Sequence, residues 1–400
     1  MRFAFLPAFL LLLPALATAD TWTVSQGGSG EFSGADDGPL RAAIARAAGG
    51  GDEIVIEPGV YHIGQSIRLD GVKHLTIRGQ GEVTLQLAPA LVTELTAPAA
   101  VGATSLRLRS PDGLHVGLRL RVMAPGEIVA VSGRPKPSFE TDVIAVDGAT
   151  VQLKEPLLYP APEGAFVVNE RDLNLFTIEG DSEDITLENL NLDGALLPDG
   201  LRVATHHTRC GVWIQGRYDY TTGPSGPKPR RITLRNCRIR NFHGRGIAIY
   251  SADDCVVENC VIENVLDEGI NIDHFAERCR VAGNVIRRAK VGIELNDVND
   301  SVVERNVIAN CHLGIRVWRY CKLEELNLRN EILVNRFSDI QGTALEFQSG
   351  TSANIARRNV LVVEDGSGAT LETQFRDAGS GNVMEENRLE IKGAVKERGR

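Results

Sequence analysis

The sequence predicts an all-β solenoid with a helical cap at its start and a small antiparallel β module inserted into it. Two observations carry this prediction. Gly246-Ile-Ala-Ile, Gly269-Ile-Asn-Ile, Gly292-Ile-Glu-Leu and Gly314-Ile-Arg-Val start 23, 23 and 22 residues apart, and Gly211-Val-Trp-Ile and Ala344-Leu-Glu-Phe extend the series. Each line also holds an Asn-X-X-hydrophobic step. A period this short, built of strand-length pieces, describes stacked rungs rather than a mixed globular fold.

Residues 1–19 read as a secretion signal. Arg2 supplies the positive start, Phe3 to Leu16 the apolar run, and Ala17-Thr18-Ala19 a small-residue cleavage site. The run is short and is interrupted by Pro7 and Pro14, unlike a membrane span. The expectation is an exported protein, periplasmic or extracellular, with no membrane span in the mature chain.

Residues 20–90 hold the N-terminal cap and first rungs. Asp36 to Ala48 has helix punctuation, with Pro39 near its start and Gly49-Gly50-Gly51 at its end. It is placed as a cap over the first open rung, because a solenoid's ends must be covered. Glu53-Ile-Val-Ile, Ile67-Arg-Leu and His74-Leu-Thr-Ile follow as strands. Residues 91–168 break the rhythm. Alternating pieces such as Ser105-Leu-Arg-Leu-Arg, Leu118-Arg-Leu-Arg-Val and Thr150-Val-Gln-Leu, with Gly and Pro turns, predict an inserted antiparallel module. Rungs resume over 169–393, interrupted by excursions at Leu196 to Arg209 and Arg217 to Pro229. Residues 394–400 form a tail.

Asn189, Asn284, Asn306, Asn330, Asn359 and Asn387 are expected to share one repeat position, with Cys237 and Cys260 filling it twice. Asparagine tolerates the left-handed region and bonds locally, so this series is structural. Seven cysteines are an odd number. Cys237/Cys260 and Cys255/Cys279 fall at equivalent places in consecutive repeats. They are expected as stacked, buried small residues, with a bridge between rungs left open. The net charge of −9 argues against a nucleic-acid partner. The basic run from Lys228 to Arg240 alternates as a solvated strand face should.

These repeats, of which Cys255-Val-Val-Glu-Asn-Cys-Val-Ile-Glu-Asn-Val-Leu-Asp-Glu-Gly-Ile-Asn-Ile is typical, resemble the right-handed parallel β-helix of the pectin-lyase-like superfamily. The resemblance covers Glu53 to Leu389 outside the insertion. It implies a right-handed parallel β-helix. It also implies a range of roles: polysaccharide lyase, glycoside hydrolase, uronate epimerase, adhesin or non-catalytic scaffold.

Stacking turns the sequence into a map of columns. In each Gly-Ile-X-hydrophobic strand the apolar residues point inward and the X positions outward. The first outward column is Trp213, Ala248, Asn271, Glu294, Arg316 and Glu346. The second is Gln215, Tyr250, Asp273, Asn296, Trp318 and Gln348. A corner column holds Arg209, Gly244, Asp267, Lys290, His312 and Gly342. Neighbours in a column lie about 4.8 Å apart and alternate strand positions about 6.6 Å.

The centre of this map is the candidate site. Trp318, Tyr250 and Trp213 suit stacking on a sugar, and Asn271 and Asn296 suit hydroxyl recognition. His243 and Arg245 lie on the neighbouring corner. Three chemistries compete, each on a polysaccharide and each expected of a monomer. In lyase or C5-epimerase chemistry on a uronate, Arg316 neutralises the carboxylate and Lys290 or His312 takes the proton. Calcium held by Asp267, Asp273 and Glu294, with Asn271, is the alternative neutraliser. In hydrolysis, Asp273 and Glu294 act as a carboxylate pair, their β-carbons about 8 Å apart from strand spacing, within the range of roughly 6.5–9.5 Å of inverting enzymes. In the third, the same residues grip a glycan without chemistry. Lyase or epimerase chemistry is favoured at this stage.

Family signatures are fragmentary. Ile272-Asp273-His274 resembles part of the pectate lyase motif Trp-Ile-Asp-His, with Asn271 in place of Trp. Asp253-Asp254 resembles the polygalacturonase aspartate pair, but its corner position makes it a turn. Asp267-Glu268 resembles the acidic motif of uronate epimerases without its Pro-His. The adjacent His206-His207 lack a third metal ligand, though they or Tyr218 could wall the groove.

Overall fold

The structure, a computed structural model, describes residues 19–47, 51–123, 138–169, 174–196 and 208–392. The signal-like residues 1–18, Gly49, Gly50, His206, His207 and the tail 394–400 lie outside them.

Three parallel sheets run the length of the molecule, with 12, 10 and 9 strands among the described residues. The chain visits each in turn, so a complete rung contributes one strand to each sheet, while the first strands at the N-terminal end belong to the twelve-stranded sheet alone. This is a parallel β-helix. The nine-stranded sheet stacks Ile67–Asp70, Phe176–Glu179, Val212–Gln215, Ile247–Tyr250, Glu268–Asp273, Val291–Asn296, Leu313–Trp318, Leu345–Phe347 and Phe375–Asp377. Its inward residues, Ile247, Ile249, Ile270, Ile272, Ile293, Leu295, Ile315 and Val317, are fully buried in one continuous core.

The glycine that opens each line has a steric cause. A Cβ on Gly269 would stand 2.5 Å from Ile286 Cγ2 and 2.7 Å from the Gly292 carbonyl, and one on Gly292 would stand 2.4 Å from Ile308 Cγ2. Isoleucines of the ten-stranded sheet fill the space that a side chain would need, so the repeat begins with the residue that has none.

The asparagines form two ladders, not one. Asn284, Asn306, Asn335, Asn359 and Asn387 each meet the next through side-chain amide contacts of 2.9–3.0 Å. Cys260 joins this series, its amide donating to Asn284 Oδ1. Asn330 instead belongs to a second ladder at another corner, with Asn354 and Asn382. Asn189 is displaced by one position. It sits in the left-handed region at φ 55°, as do Asn236 and Asn259 on the next rungs, while Leu190 takes the inward place. Counting from the Asn alone cannot separate an inward ladder residue from a left-handed corner residue, because asparagine suits both.

The cap helix spans Gly38–Ala47, and Leu40, Ala43, Ile44 and Ala47 bury one face on the first rungs. That i, i+3, i+4, i+7 spacing is the stripe a helix needs to close a sheet end. The insertion is a six-stranded antiparallel sheet with a core of its own around Leu106, Leu120, Val151 and Val167. All seven cysteines are free and buried, so no bridge joins the rungs. The basic run is matched by acids on adjacent rungs, Arg231 to Asp184, Arg235 to Glu188 and Arg240 to Asp193. No described helix is long and apolar enough to cross a membrane.

Candidate active site

Strand register places the mapped residues as their columns require. Asn271 pairs with Glu294 and Asp273 with Asn296. Glu294 then pairs with Arg316, and Asn296 with Trp318. Trp213 and Tyr250 occupy the same face on earlier rungs.

That face is not the open wall the alternation suggests. Tyr250 is 1% exposed, Asp273 2% and Glu294 1%. The short hairpin of Tyr218–Asp219 and Gly223–Pro224 folds over it. Tyr218 stacks over Tyr250 at 6.3 Å and packs with Phe275, Cys321 and Leu326. Tyr250 in turn stacks on Trp213 at 4.7 Å. The aromatics expected to be free for a sugar are therefore partly a second, smaller core, and the rim passes to Trp318, Tyr220 and Tyr320. Column arithmetic describes rungs and is silent about loops that fold back on them.

Beneath this cover, two carboxylates on adjacent rungs have different surroundings. Glu294 accepts from Asn271 Nδ2 at 3.2 Å and from Arg316 Nε at 2.8 Å, and Arg316 lies 5.1 Å over the Trp318 ring. Burial and the Glu268 charge push the Glu294 carboxyl up, against Arg316. We assign it as ionised near neutrality. Arginine stays charged, and a neutral Glu294 would strand that charge beside a buried acid. No Lys or Arg bonds Asp273 among the described residues. Burial pushes its carboxyl up to about 7, despite His274 and Arg245 nearby. Its Oδ1 accepts the His274 amide at 2.8 Å, and the Tyr250 hydroxyl also donates to this carboxylate. Asn271 Oδ1, Asn296 Oδ1 and Trp318 Nε1 are buried without a hydrogen-bond partner among the described residues, leaving three polar atoms around these acids unsatisfied there.

The corner residues are engaged with each other. Arg245 Nε donates to Glu268 at 2.5 Å and its guanidinium also meets the Tyr250 hydroxyl. Burial opposes the Glu268 charge, but Arg245 holds that carboxyl low, while burial and Glu268 push Asp267 up. Lys290 bonds Asp267 at 3.2 Å and is substantially exposed. His312 lies exposed at its corner, and its ring makes no hydrogen bond among the described residues. His243 is fully buried, pushed down to about 3 by burial and by Arg209. It is a neutral interior histidine.

The calcium set is corrected. The oxygens of Asp267, Asp273 and Glu294 do not converge, since Asp267 is tied to Lys290 and Glu294 to Arg316. The donor group that does converge among the described residues is His274, Asp297 and Cys321, within 4.8 Å of one another. It is a closed hydrogen-bonded cluster. Asp297 accepts His274 Nδ1 at 2.9 Å and the amides of Tyr320 and Cys321 at 2.9–3.1 Å. Asp297, Cys321, Tyr220 and Tyr320 were not singled out by sequence. Asp297 was within reach, because Ser251, His274 and Asp297 continue the corner one step beyond each strand. The tyrosines lie on loops whose path the repeat does not fix.

A family model described as right handed beta helix region matches residues 220–388. Among solved structures, the complex of XylC with xylose gives a TM-score of 0.50 at 12% identity, covering 92% of this chain and 70% of that one. A glycoside hydrolase gives 0.48 at 11% identity over 92% and 96%. DFA-IIIase from Arthrobacter chlorophenolicus A6 gives 0.47 at 13% identity over 92% and 84%. No curated protein matches the chain in sequence. At such identities the likeness is one of fold. The chain has the right-handed parallel β-helix fold, as its resemblance to the pectin-lyase-like superfamily implies.

Proposed function

We propose that the chain is an exported, carbohydrate-active β-helix that hydrolyses glycosidic bonds of a polysaccharide. Asp273 is the proton donor and Glu294 its partner carboxylate. The observation that carries this is the contrast between the two acids. Asp273 has no arginine hydrogen-bonded to it among the described residues, and burial pushes its carboxyl up to about 7 against the charges of His274 and Arg245. Glu294, one rung on, is bound by Arg316. Burial raises both carboxyls, and only Glu294 has an arginine bonded to it to oppose that rise; such an unlike pair can supply an acid and a base or nucleophile in one site. Asp273 gives its proton to the leaving oxygen. Glu294 either activates water or attacks the sugar, and their separation in the bound complex decides between inversion and retention.

Lyase or epimerase chemistry on a uronate is the second proposal. It is favoured by Arg316 alone, which is half-buried at the rim where a substrate carboxylate could exchange for Glu294. Its base is harder to find, since Lys290 is paired with Asp267 and His312 stands at an exposed corner. Incubation with a polysaccharide panel separates the two. Hydrolysis yields new reducing ends without ultraviolet absorbance, whereas elimination yields the absorbance of unsaturated uronates. Export is tested by sequencing the N-terminus of the mature chain.

A further inference from the structure

We propose that the substrate is a neutral polysaccharide, and that Asn271, Asn296 and Trp318 read the hydroxyls of the sugar at the cleavage point. This rests on the hydrolytic reading and names the class of substrate for the same site.

The register sets acids and amides in alternation. Asn271 and Asp273 stand two apart on one strand, and Glu294 and Asn296 stand beside them on the next rung. Trp318 follows Asn296 on the rung after. Each acid therefore has one amide about 4.8 Å away in its column and another about 6.6 Å away along its strand. Both acids lie buried under the hairpin, so a sugar that reaches them has displaced that cover and meets the amides as well.

The unsatisfied atoms favour hydroxyls. Asn271 turns Nδ2 to the ionised Glu294 at 3.2 Å, which leaves its Oδ1 as a buried acceptor. The side chain of Asn296 makes no hydrogen bond among the described residues, and its Oδ1 is buried. Trp318 Nε1 is a buried donor with no acceptor there. Buried polar atoms without partners are costly, and a bound sugar would satisfy them. A hydroxyl both donates and accepts, so it serves either kind of atom, whereas a carboxylate only accepts. A uronate placed here would face the Asn271 oxygen and the Glu294 charge. The guanidiniums that would neutralise it are engaged, Arg316 by Glu294 and Arg245 by Glu268. At the rim, Lys290 bonds Asp267, and Arg319 folds back onto the Cys321 carbonyl.

Binding is measured by calorimetry in the Asp273→Asn background, so that cleavage does not intervene. The probes are polygalacturonate and alginate, each beside the same polymer carboxyl-reduced to its neutral sugar, together with xylan, mannan, glucan and galactan. A neutral polymer should bind most tightly, with an affinity unchanged between low and high salt. Asn296→Leu, added to that background, replaces an unpartnered buried amide by an apolar side chain. It should weaken the binding by about tenfold or more and at the same time raise Tm. Trp318→Phe keeps a ring beneath Arg316 and removes only the N–H donor together with part of the indole, and should weaken binding likewise. Unchanged affinity in both variants overturns the proposal. Tighter binding of a uronan than of its reduced counterpart also overturns it, as does binding of none of the neutral polymers. If Asn296→Leu fails to fold, Trp318→Phe gives the affinity result alone. The product ends released by wild type are read separately and decide the hydrolytic reading, so the two can fail independently.

Discussion

At the scale of single residues, Asp273 is the decisive group of the proposed chemistry. A carboxyl held at about 7 when folded and 3.8 when free binds more protons folded than unfolded between those values. The contribution of Asp273 to stability therefore falls as pH rises through that window, the reverse of a salt-bridged aspartate. Denaturant titrations of wild type and Asp273→Asn from about pH 4 to pH 7 should differ by this slope, on the order of 3–4 kcal/mol at most by linkage. The same substitution should lower kcat by at least about 100-fold, the usual share of a general acid, while His312→Ala and Lys290→Ala keep most activity. Glu294→Gln should also remove turnover. It additionally leaves Arg316 without its anion, at a cost of up to about 3 kcal/mol given that Arg316 is partly exposed. Thermal melting separates that cost from the catalytic loss.

At the scale of elements, the rung is specified by very few residues, and most of them are legible. Glycine at the start of each line predicts a strand, and the structure supplies the reason in the isoleucine opposite. Gly292→Ala should destabilise by about 1–3 kcal/mol, the range for overpacking a close-packed core, as measured by denaturant unfolding. The ladders make a second prediction. Asn306 accepts the backbone and side-chain amides of Asn284 and donates to the Val281 carbonyl and to Asn335. Asn306→Ala leaves these groups buried and unpaired, at about 2–4 kcal/mol. Cys260→Ala, which removes only a thiol from the same series, should cost about 1 kcal/mol. Equal losses at both positions would deny the ladder its role. The outward columns were readable for the same reason the core was: strand alternation allows one register, and a slip would turn every site residue inward. The cover was not readable. Tyr218 reaches Tyr250 through a hairpin whose path depends on tertiary packing, and so the burial that raises Asp273 was invisible to the alternation.

At the scale of the whole molecule, the β-helix is a rigid frame on which loops make the site. The insertion has its own core, separate from the one that runs through the rungs. Replacing 91–168 by a short flexible linker should leave a soluble chain with β-sheet circular dichroism and a cooperative melt, since stability in a solenoid is local to neighbouring rungs. Loss of cooperative melting would mean that the insertion completes the main core. The central claim is that the Asp273–Glu294 pair breaks glycosidic bonds by hydrolysis. It is tested most directly by digesting a polysaccharide panel with wild type, Asp273→Asn and Arg316→Ala and analysing the product ends. Hydrolysis predicts new reducing ends with saturated non-reducing ends from wild type, no cleavage by Asp273→Asn and a reduced yield from Arg316→Ala. Unsaturated ends that persist in Asp273→Asn and vanish in Arg316→Ala would contradict it and give the site to elimination.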